Sequence, residues 1–250
     1  MLLCLITNCS GEKKAAATTT RQKGPVLLQP WNSTFHLREK ENGEMLSIGA
    51  VFSDDVNVYV YDLARGAVVI LDSTLSATVT IPLATIGRDT WAGDDFVADD
   101  SQFIFLNSVD RRLELFDRLT GKHRSSTALP ADLMAGAQKR SHRTLNRLFL
   151  DKGTLMIGNE HYLVAFDPKL GKRSSSAAAV TAGEKKRILL YKRAGSVIMH
   201  DSLLKNRAAS RTITPPSTHF PVSGKRFFTR GTALYAVEAG RDSVRIAEVQ

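Results

Sequence analysis

Short apolar runs alternate with polar turns along most of the chain, and one strand–turn–strand unit recurs five times. In each unit an apolar strand is followed by a turn of Asp, Gly, Ser or Lys, which tight hairpins tolerate, and then by a second apolar strand. β-Branched and aromatic residues flank the turns, and these residues favour strands. The chain is therefore predicted to be all-β. The five units begin at Val51, Phe96, Phe149, Leu190 and Phe228.

A third apolar strand follows the second one in the first three units, at residues 68–72, 113–117 and 163–167. The units recur about every 40–50 residues, which is the length that a four-stranded propeller blade requires. We expect a β-propeller of four-stranded blades with five visible repeats. A β-sandwich or barrel with similarly spaced strands is the alternative.

The number of blades depends on how the ring closes, because an open ring would expose sheet edges. An N-terminal strand, at 26–28 or 34–37, can complete the last of five blades. A sixth, degenerate blade built partly from residues 25–48 is the rival. The fourth unit lacks an apolar third strand at 201–207, and residues 129–135 are expected to form one or two helical turns between the second and third blades.

Two segments resemble a known repeat. Residues 107–117 (NSVDRRLELFD) and, more loosely, residues 59–72 are similar to the repeats of NHL-like six-bladed propellers, and specifically to the propeller lipoproteins of bacteria. The resemblance covers about residues 45–250. It implies an architecture rather than an activity, because one propeller shape hosts many functions.

The first nine residues, MLLCLITNC, place a short apolar run before Cys9, and a polar segment follows at residues 10–24. This resembles the end of a bacterial lipoprotein signal, in which the cysteine is lipidated. Asn8 stands where that family usually has Gly, Ala or Ser, and no Lys or Arg precedes the apolar run. An unprocessed terminus is the alternative.

The resemblance implies that residues 1–24 are a signal-like start and flexible tether, and that residues 25–250 are the propeller domain. Lipidated Cys9 would anchor the protein to the membrane and place it in the bacterial cell envelope. If Cys9 is not processed, a cytoplasmic scaffold is the alternative. We expect a monomer.

Charge is unevenly distributed along the chain. The first 125 residues contain 13 Lys and Arg and 16 Asp and Glu, whereas the last 125 contain 21 and 9. In a ring, the two halves of the sequence become opposite arcs, so one arc is predicted to be strongly basic. Such an arc attracts anionic partners, although a solvated face is the simpler interpretation. Nucleic acid is not favoured, because few aromatic residues interleave the basic runs.

No catalytic constellation, metal site or cofactor motif stands out. The pairs Asp54-Asp55, Asp94-Asp95 and Asp99-Asp100 invite a metal or acid–base hypothesis, but two of the three fall in the hairpin turns of the repeat, where Asp is favoured for backbone reasons. The six histidines are scattered without metal-ligand spacing. An enzyme is therefore not favoured.

Propellers usually bind ligands at one mouth of the central channel, and the loops that join second to third strands lie on one face. Their charged residues can make charge-assisted hydrogen bonds, although polar residues fill such turns in any case. The candidate ligand-binding residues in these loops are Asp62, Arg65, Asp110, Arg111, Glu160, His161, Arg241 and Asp242.

The pattern predicts a non-enzymatic binding or scaffold propeller of the cell envelope, with a protein or an anionic ligand as its partner. The alternative is a propeller hydrolase or lactonase with a metal at the channel mouth. Three or more carboxylate or amide side chains converging on the axis would favour the enzyme. An axis lined by apolar and small residues would favour the scaffold.

Overall fold

The described residues form β-strands joined by turns and loops. A computed structural model describes the following residues: 26–54, 56–84, 95–107, 110–130, 147–151, 154–158, 163–167, 172–173, 187–191, 197–201, 211–213, 218–220, 222, 224–230 and 233–249. Residues 131–135 of the expected short helix lie outside them. None of the described residues forms a helix long and apolar enough to cross a membrane.

The first repeat folds into a four-stranded antiparallel sheet. It is preceded by strand β1 (Leu27–Pro30) and by a small hairpin of β2 (Arg38–Glu39) and β3 (Met45–Leu46). The blade itself consists of β4 (Ile48–Ser53), β5 (Val58–Asp62), β6 (Ala67–Leu71) and β7 (Ala77–Pro82), paired in that order. Every residue of β5 is buried, whereas most of β7 is exposed. This gradient fits a blade whose middle strands lie between neighbouring blades and whose last strand faces solvent.

The second and third repeats form four-stranded sheets of the same order. The second blade consists of β8 (Asp95–Ala98), β9 (Gln102–Asn107), β10 (Arg112–Asp117) and β11 (His123–Ala128). The third blade consists of β12 (Arg147–Asp151), β13 (Thr154–Gly158), β14 (Leu163–Asp167) and β15 (Lys172–Arg173).

The fourth repeat contains a third strand, contrary to the expectation from its sequence. Its described strands are β16 (Arg187–Tyr191), β17 (Val197–Asp201) and β18 (Arg211–Ile213). Strand β18 has the sequence RTI and lies beyond the segment 201–207, in which no apolar third strand was visible. Residues 202–207 lie outside the described part of the chain, and the third strand of this blade is β18.

The fifth blade closes the ring with both ends of the described chain. Strands β19 (Phe227–Arg230), β20 (Ala233–Ala239) and β21 (Ser243–Glu248) are joined by β1 as the outermost strand. Leu27 pairs with Ile246, and Pro30 pairs with Ser243. Of the two N-terminal segments expected to complete the last blade, 26–28 and 34–37, the first is confirmed as the closing strand.

The other possibilities for the N-terminal segment are not realised. In the segment 34–37 the β-pairing consists of an isolated bridge between Phe35 and Trp31. Within residues 26–48 the structure shows the β2–β3 hairpin and β1, but no sixth blade. The first strands of neighbouring blades pack on one another, β4 against β8, β8 against β12 and β19 against β4. The expected β-propeller is thus confirmed, with five blade sheets among the described residues.

Large apolar side chains fill the spaces between blades. Between the first and second blades, Phe96 stacks on Phe105 with ring centroids 5.0 Å apart, and Tyr61 meets Phe105 edge to face at 4.9 Å. All three side chains are almost fully buried. Such aromatic pairs add to the burial of apolar area and fix how one blade lies on the next.

Because successive strands alternate in direction, the loops fall on two faces. We call the upper face the one that carries the loops between second and third strands and the connections into each first strand. The described parts of the upper face are residues 31–47, 63–66, 83–84, 110–111, 129–130, 218–220, 222, 224–226 and 240–242. The opposite, lower face carries the remaining hairpins, including residues 118–122.

Candidate functional site

A buried ion pair lies where the first strands of several blades begin. Lys225, two residues before the first strand of the fifth blade, is 6% exposed, and Asp95, at the start of β8, is 0% exposed. Lys225 Nζ lies 3.2 Å from Asp95 Oδ2 and donates to the carbonyl oxygens of Phe96 (3.0 Å) and Leu148 (2.6 Å). The ammonium is therefore surrounded by oxygen acceptors from two other blades.

Further contacts place this ammonium between four blades. The rings of Phe52, in the first blade, and Phe149, in the third, lie 5.7 and 5.6 Å from Lys225 Nζ. Asp95 Oδ2 also accepts a hydrogen bond from the backbone N–H of Leu148 at 2.9 Å. Lys225 comes from the fifth blade and Asp95 from the second, so the pair lies where the inner strands converge.

Three or more converging carboxylate or amide side chains were expected for an enzyme, and an axis lined by apolar and small residues for a scaffold. The ion pair matches neither expectation. The Asp95 carboxylate is the one that meets the Lys225 ammonium. An ion pair, rather than an apolar lining, therefore lies between the inner strands. Among the described residues, no group of three or more His, Cys, Asp or Glu side chains could hold a metal ion. The Lys225 ammonium occupies a position with the oxygen ligands that a bound cation would seek.

The carboxylate pairs of the sequence divide into two kinds. Asp54 and Asp99 fold back on their own turns: Asp54 Oδ1 accepts from Asn57 N at 2.6 Å, and Asp99 Oδ1 accepts from Gln102 N at 2.8 Å. For Asp54 and Asp99 the interpretation as turn residues is confirmed, and Asp55 and Asp94 lie outside the described residues. Asp95 differs, because it begins a strand and contacts Lys225 and Leu148 of other blades.

Asp62 is the most buried of the candidate ligand-binding residues that the structure describes. Its Oδ2 accepts from the backbone N–H of His36 at 2.9 Å and lies 3.0 Å from His36 Nδ1, and its Oδ1 accepts from Arg65 N at 3.1 Å. Burial raises the pKa of Asp62 above its usual range, while the hydrogen bond from His36 acts in the opposite direction. Asp62 thus fastens the connection after β1 to the first blade.

The other candidate residues that the structure describes lie in the expected loops of three different blades. Asp110 is bound within its own turn, through Asn107 Nδ2 at 3.1 Å and through its backbone N–H to Asn107 Oδ1 at 2.9 Å. Arg111 adopts a positive φ of 54° in the same turn. Glu160 and His161 lie outside the described residues. The assignment of all eight residues to ligand binding stays a prediction.

Arg241 and Asp242 stand beside aromatic residues that the sequence did not single out. Both charged residues are exposed, and within the described part of the chain neither side chain makes a hydrogen bond or an ion pair. The ring of Trp31 meets the ring of Phe220 edge to face at 6.0 Å, and the ring of His219 lies 4.7 Å from that of Phe220. We call these five residues the fifth-blade rim.

Backbone contacts hold the fifth-blade rim together. Trp31 Nε1 donates to Gly240 O at 3.0 Å, and Trp31 N donates to Asp242 O at 3.3 Å. The N–H groups of His219 and Phe220 both donate to Ala239 O, at 2.9 and 3.0 Å. Residues far apart in sequence are thereby brought to one loop. No periodic pattern could have shown this, because it depends on ring closure.

A second polar cluster lies on the outer strands of the second blade. His123 Nε2 lies 3.0 Å from Glu114 Oε2 and 3.3 Å from Ser126 Oγ, and Ser126 Oγ also donates to Glu114 Oε2. In a catalytic relay, the hydroxyl and the carboxylate meet different nitrogens of the imidazole. Here both meet Nε2, so the cluster satisfies a buried Glu114 and lacks the geometry of a nucleophile.

Comparisons with known proteins give similarity to solved structures only. No protein-family model matches the chain, and no curated protein matches its sequence. A Bacteroides fragilis protein described as exported is 12% identical, with a TM-score of 0.38 over 84% of this chain and 49% of that chain. This chain therefore spans about half the length of that protein.

Two other solved structures are matched over most of their length. Virginiamycin B lyase from Staphylococcus aureus is 7% identical, with a TM-score of 0.39 over 90% of this chain and 99% of that chain. BamB from Moraxella catarrhalis is 12% identical, with a TM-score of 0.31 over 90% of this chain and 82% of that chain. At these TM-scores the likeness is no argument for a shared function.

Proposed function

We propose that the protein is a non-catalytic binding propeller of the bacterial cell envelope. It holds a protein or an anionic ligand on its upper face, and acylated Cys9 anchors it to the membrane. Kinship with the NHL-like propeller lipoproteins, which the motif at residues 107–117 indicates, is part of the same proposal. The basic second half of the sequence adds attraction for an anionic partner.

The observation that carries the proposal is the buried Lys225 ammonium, which contacts Asp95 and two backbone carbonyl oxygens of other blades. A metal-dependent hydrolase or lactonase requires an open cation position at the channel mouth, with carboxylates free to bind it. Both oxygens of Asp95 are already engaged, since Oδ2 meets Lys225 Nζ and Leu148 N and Oδ1 accepts from Lys225 N at 3.4 Å. A divalent ion at this place would have to displace an ammonium that the chain itself supplies.

Exposed polar groups remain on the upper face for recognition. Arg241 and Asp242 are exposed without partners among the described residues, and the His36 side chain is 33% exposed beside Asp62. Groups of this kind give hydrogen bonds and ion pairs to a partner. Exposed groups of this kind support a binding role for the upper face.

Thermal unfolding with and without divalent cations tests the proposal. We expect Ca²⁺, Mg²⁺ and Zn²⁺ at millimolar concentration to leave the Tm of the purified protein unchanged. A resident metal at about 100 times its dissociation constant would instead stabilise the fold by about 2.7 kcal/mol. A cation-induced rise in Tm that disappears in Asp95→Asn, but persists in the exposed control Asp100→Asn, would overturn the proposal.

A further inference from the structure

We propose that the fifth-blade rim is a binding subsite for an acidic saccharide, that is, a sugar ring that carries a carboxylate. The rim is composed of Trp31, His219, Phe220, Arg241 and Asp242, as defined above. The inference rests on the proposed function and deepens it, because it names the class of anionic ligand and the part of the upper face that takes it.

The aromatic part of the rim supplies a surface for the sugar ring. The side chains of Trp31 and Phe220 are both half-buried, so part of each ring faces solvent at the edge of the blade. An aromatic face carries negative charge density, which favours the weakly positive C–H groups on one side of a sugar ring. Ligand sites usually combine such aromatic walls with a few polar groups that fix orientation.

The charged part of the rim supplies those polar groups. Arg241 presents a planar guanidinium, which binds a carboxylate through two parallel hydrogen bonds. Asp242 presents carboxylate oxygens, which accept hydrogen bonds from hydroxyl groups. A uronic acid carries one carboxylate and several hydroxyls on one ring, so it satisfies both residues at once.

The negative charge of the Asp242 carboxylate distinguishes between classes of anionic ligand. A nucleic acid or a phospholipid headgroup presents phosphate, and phosphate beside the Asp242 carboxylate would be repelled. A sugar with a single carboxylate can turn its hydroxyls towards Asp242 and its charge towards Arg241. The pairing of an exposed acid with an exposed base therefore favours an acidic sugar over a polyphosphate.

The rim is also held in place before any ligand arrives. Trp31 Nε1 is bound to Gly240 O, and Ser33 Oγ donates to Pro30 O at 2.6 Å in the turn that follows β1. Asn32 in that turn has a φ of 64°, and its backbone N–H donates to Phe35 O at 2.7 Å. A site ordered in advance loses less conformational freedom on binding.

Trp31 provides a direct probe, because the chain has only two tryptophans. In a Trp91→Phe background, Trp31 is the single indole, and its emission reports on the rim. We expect a saturable change in this emission when a trimer of galacturonic acid is added. The neutral galactose trimer should bind at least about tenfold more weakly, since a hydrogen bond to a charged group is worth about that factor or more.

Substitutions in the same background locate the binding. Arg241→Ala should weaken the affinity for the acidic trimer about tenfold or more and should reduce the preference over the neutral trimer. Asp242→Asn should weaken both trimers by a smaller factor. Lys122→Ala, an exposed lysine on the lower face, is the matched control and should bind like the parent. Circular dichroism checks that each variant keeps its strands.

Three results would overturn the inference: no saturable change with the acidic trimer, equal affinity for both trimers, or an Arg241→Ala variant that binds like Lys122→Ala. The titration uses purified protein and depends neither on Cys9 nor on a metal ion. If it fails while divalent cations leave Tm unchanged, the subsite is wrong and the binding-propeller proposal stands.

Discussion

Lys225 places a charged group inside the ring, and a buried charge is tolerated only where its partners are close and well oriented. Removing one member of such a pair costs about 3–5 kcal/mol, because the remaining charge is left without its partner. We expect Lys225→Met to lower the free energy of unfolding by this amount in urea denaturation. The exposed control Lys122→Met should change it by less than about 0.5 kcal/mol.

The double variant Lys225→Met, Asp95→Asn separates the ion pair from the rest of the network. Because it removes both charges, its loss of stability should be smaller than the sum of the two single losses. Additive losses, or a Lys225→Met variant as stable as the parent, would contradict the inference that Lys225 and Asp95 stabilise each other.

Neither member of the pair could be assigned from the sequence. Lys225 belongs to the basic run Lys225-Arg226, which reads as part of a solvated basic arc, yet Lys225 is buried. Asp95 was one of six residues in three carboxylate pairs. Charge patterns predict burial poorly, since what buries Lys225 is the convergence of strands from separate blades. Asp54 and Asp99, by contrast, were predictable because each accepts backbone hydrogen bonds within its own turn.

At the scale of elements, β1 decides whether the ring is closed. Leu27 faces the core with 8% exposure and belongs to the cluster that includes Val244 and Ile246, whereas Leu28 is 63% exposed. We expect Leu27→Asp to lower the free energy of unfolding by about 3 kcal/mol, because a charge would enter an apolar core. The measurement is again urea denaturation followed by circular dichroism.

Leu28→Asp is the control for the same strand, since it adds the same charge to the neighbouring, outward-facing position. It should change stability by less than about 0.5 kcal/mol. Equal effects of the two substitutions would mean that β1 does not pair with β21 in solution in the register described here.

Local pattern predicted most of the strands and failed where pairing is remote or the signal is weak. The third strand of the third blade was expected at residues 163–167, and β14 spans Leu163–Asp167. Strand β18 was missed because RTI contains a single aliphatic residue. The choice between 26–28 and 34–37 for the closing strand was open, since both segments are apolar enough. Only the pairing with Ile246 and its neighbours separates them.

For the whole molecule, the position of β1 relates the proposed anchor to the proposed binding face. Strand β1 runs from the lower face at Leu27 to the upper face at Pro30, because it is antiparallel to β21. A tether over residues 1–24 would therefore join the propeller on its lower side. If Cys9 carries the anchor, the tether leaves the propeller on the side opposite to the proposed binding face.

Metabolic labelling with a fatty-acid analogue tests the anchor. We expect the protein expressed in a bacterial host to incorporate the label, and Cys9→Ser to abolish incorporation. Cys4→Ser is the matched control, because the chain has two cysteines and both lie in its first nine residues. Unlabelled parent protein, or unchanged labelling of Cys9→Ser, would disprove lipidation at this residue.

The pairing of β1 with β21 also sets the order in which the protein can be completed. Trp31, which directly follows β1, bonds to Gly240, 209 residues further along the chain. Ribosomes add about 5–20 residues per second, so β1 emerges many seconds before its partner exists. The first four blades can assemble during synthesis, whereas β1 waits without its partner until β21 has been made. The ring is therefore locked only when β21 pairs with β1.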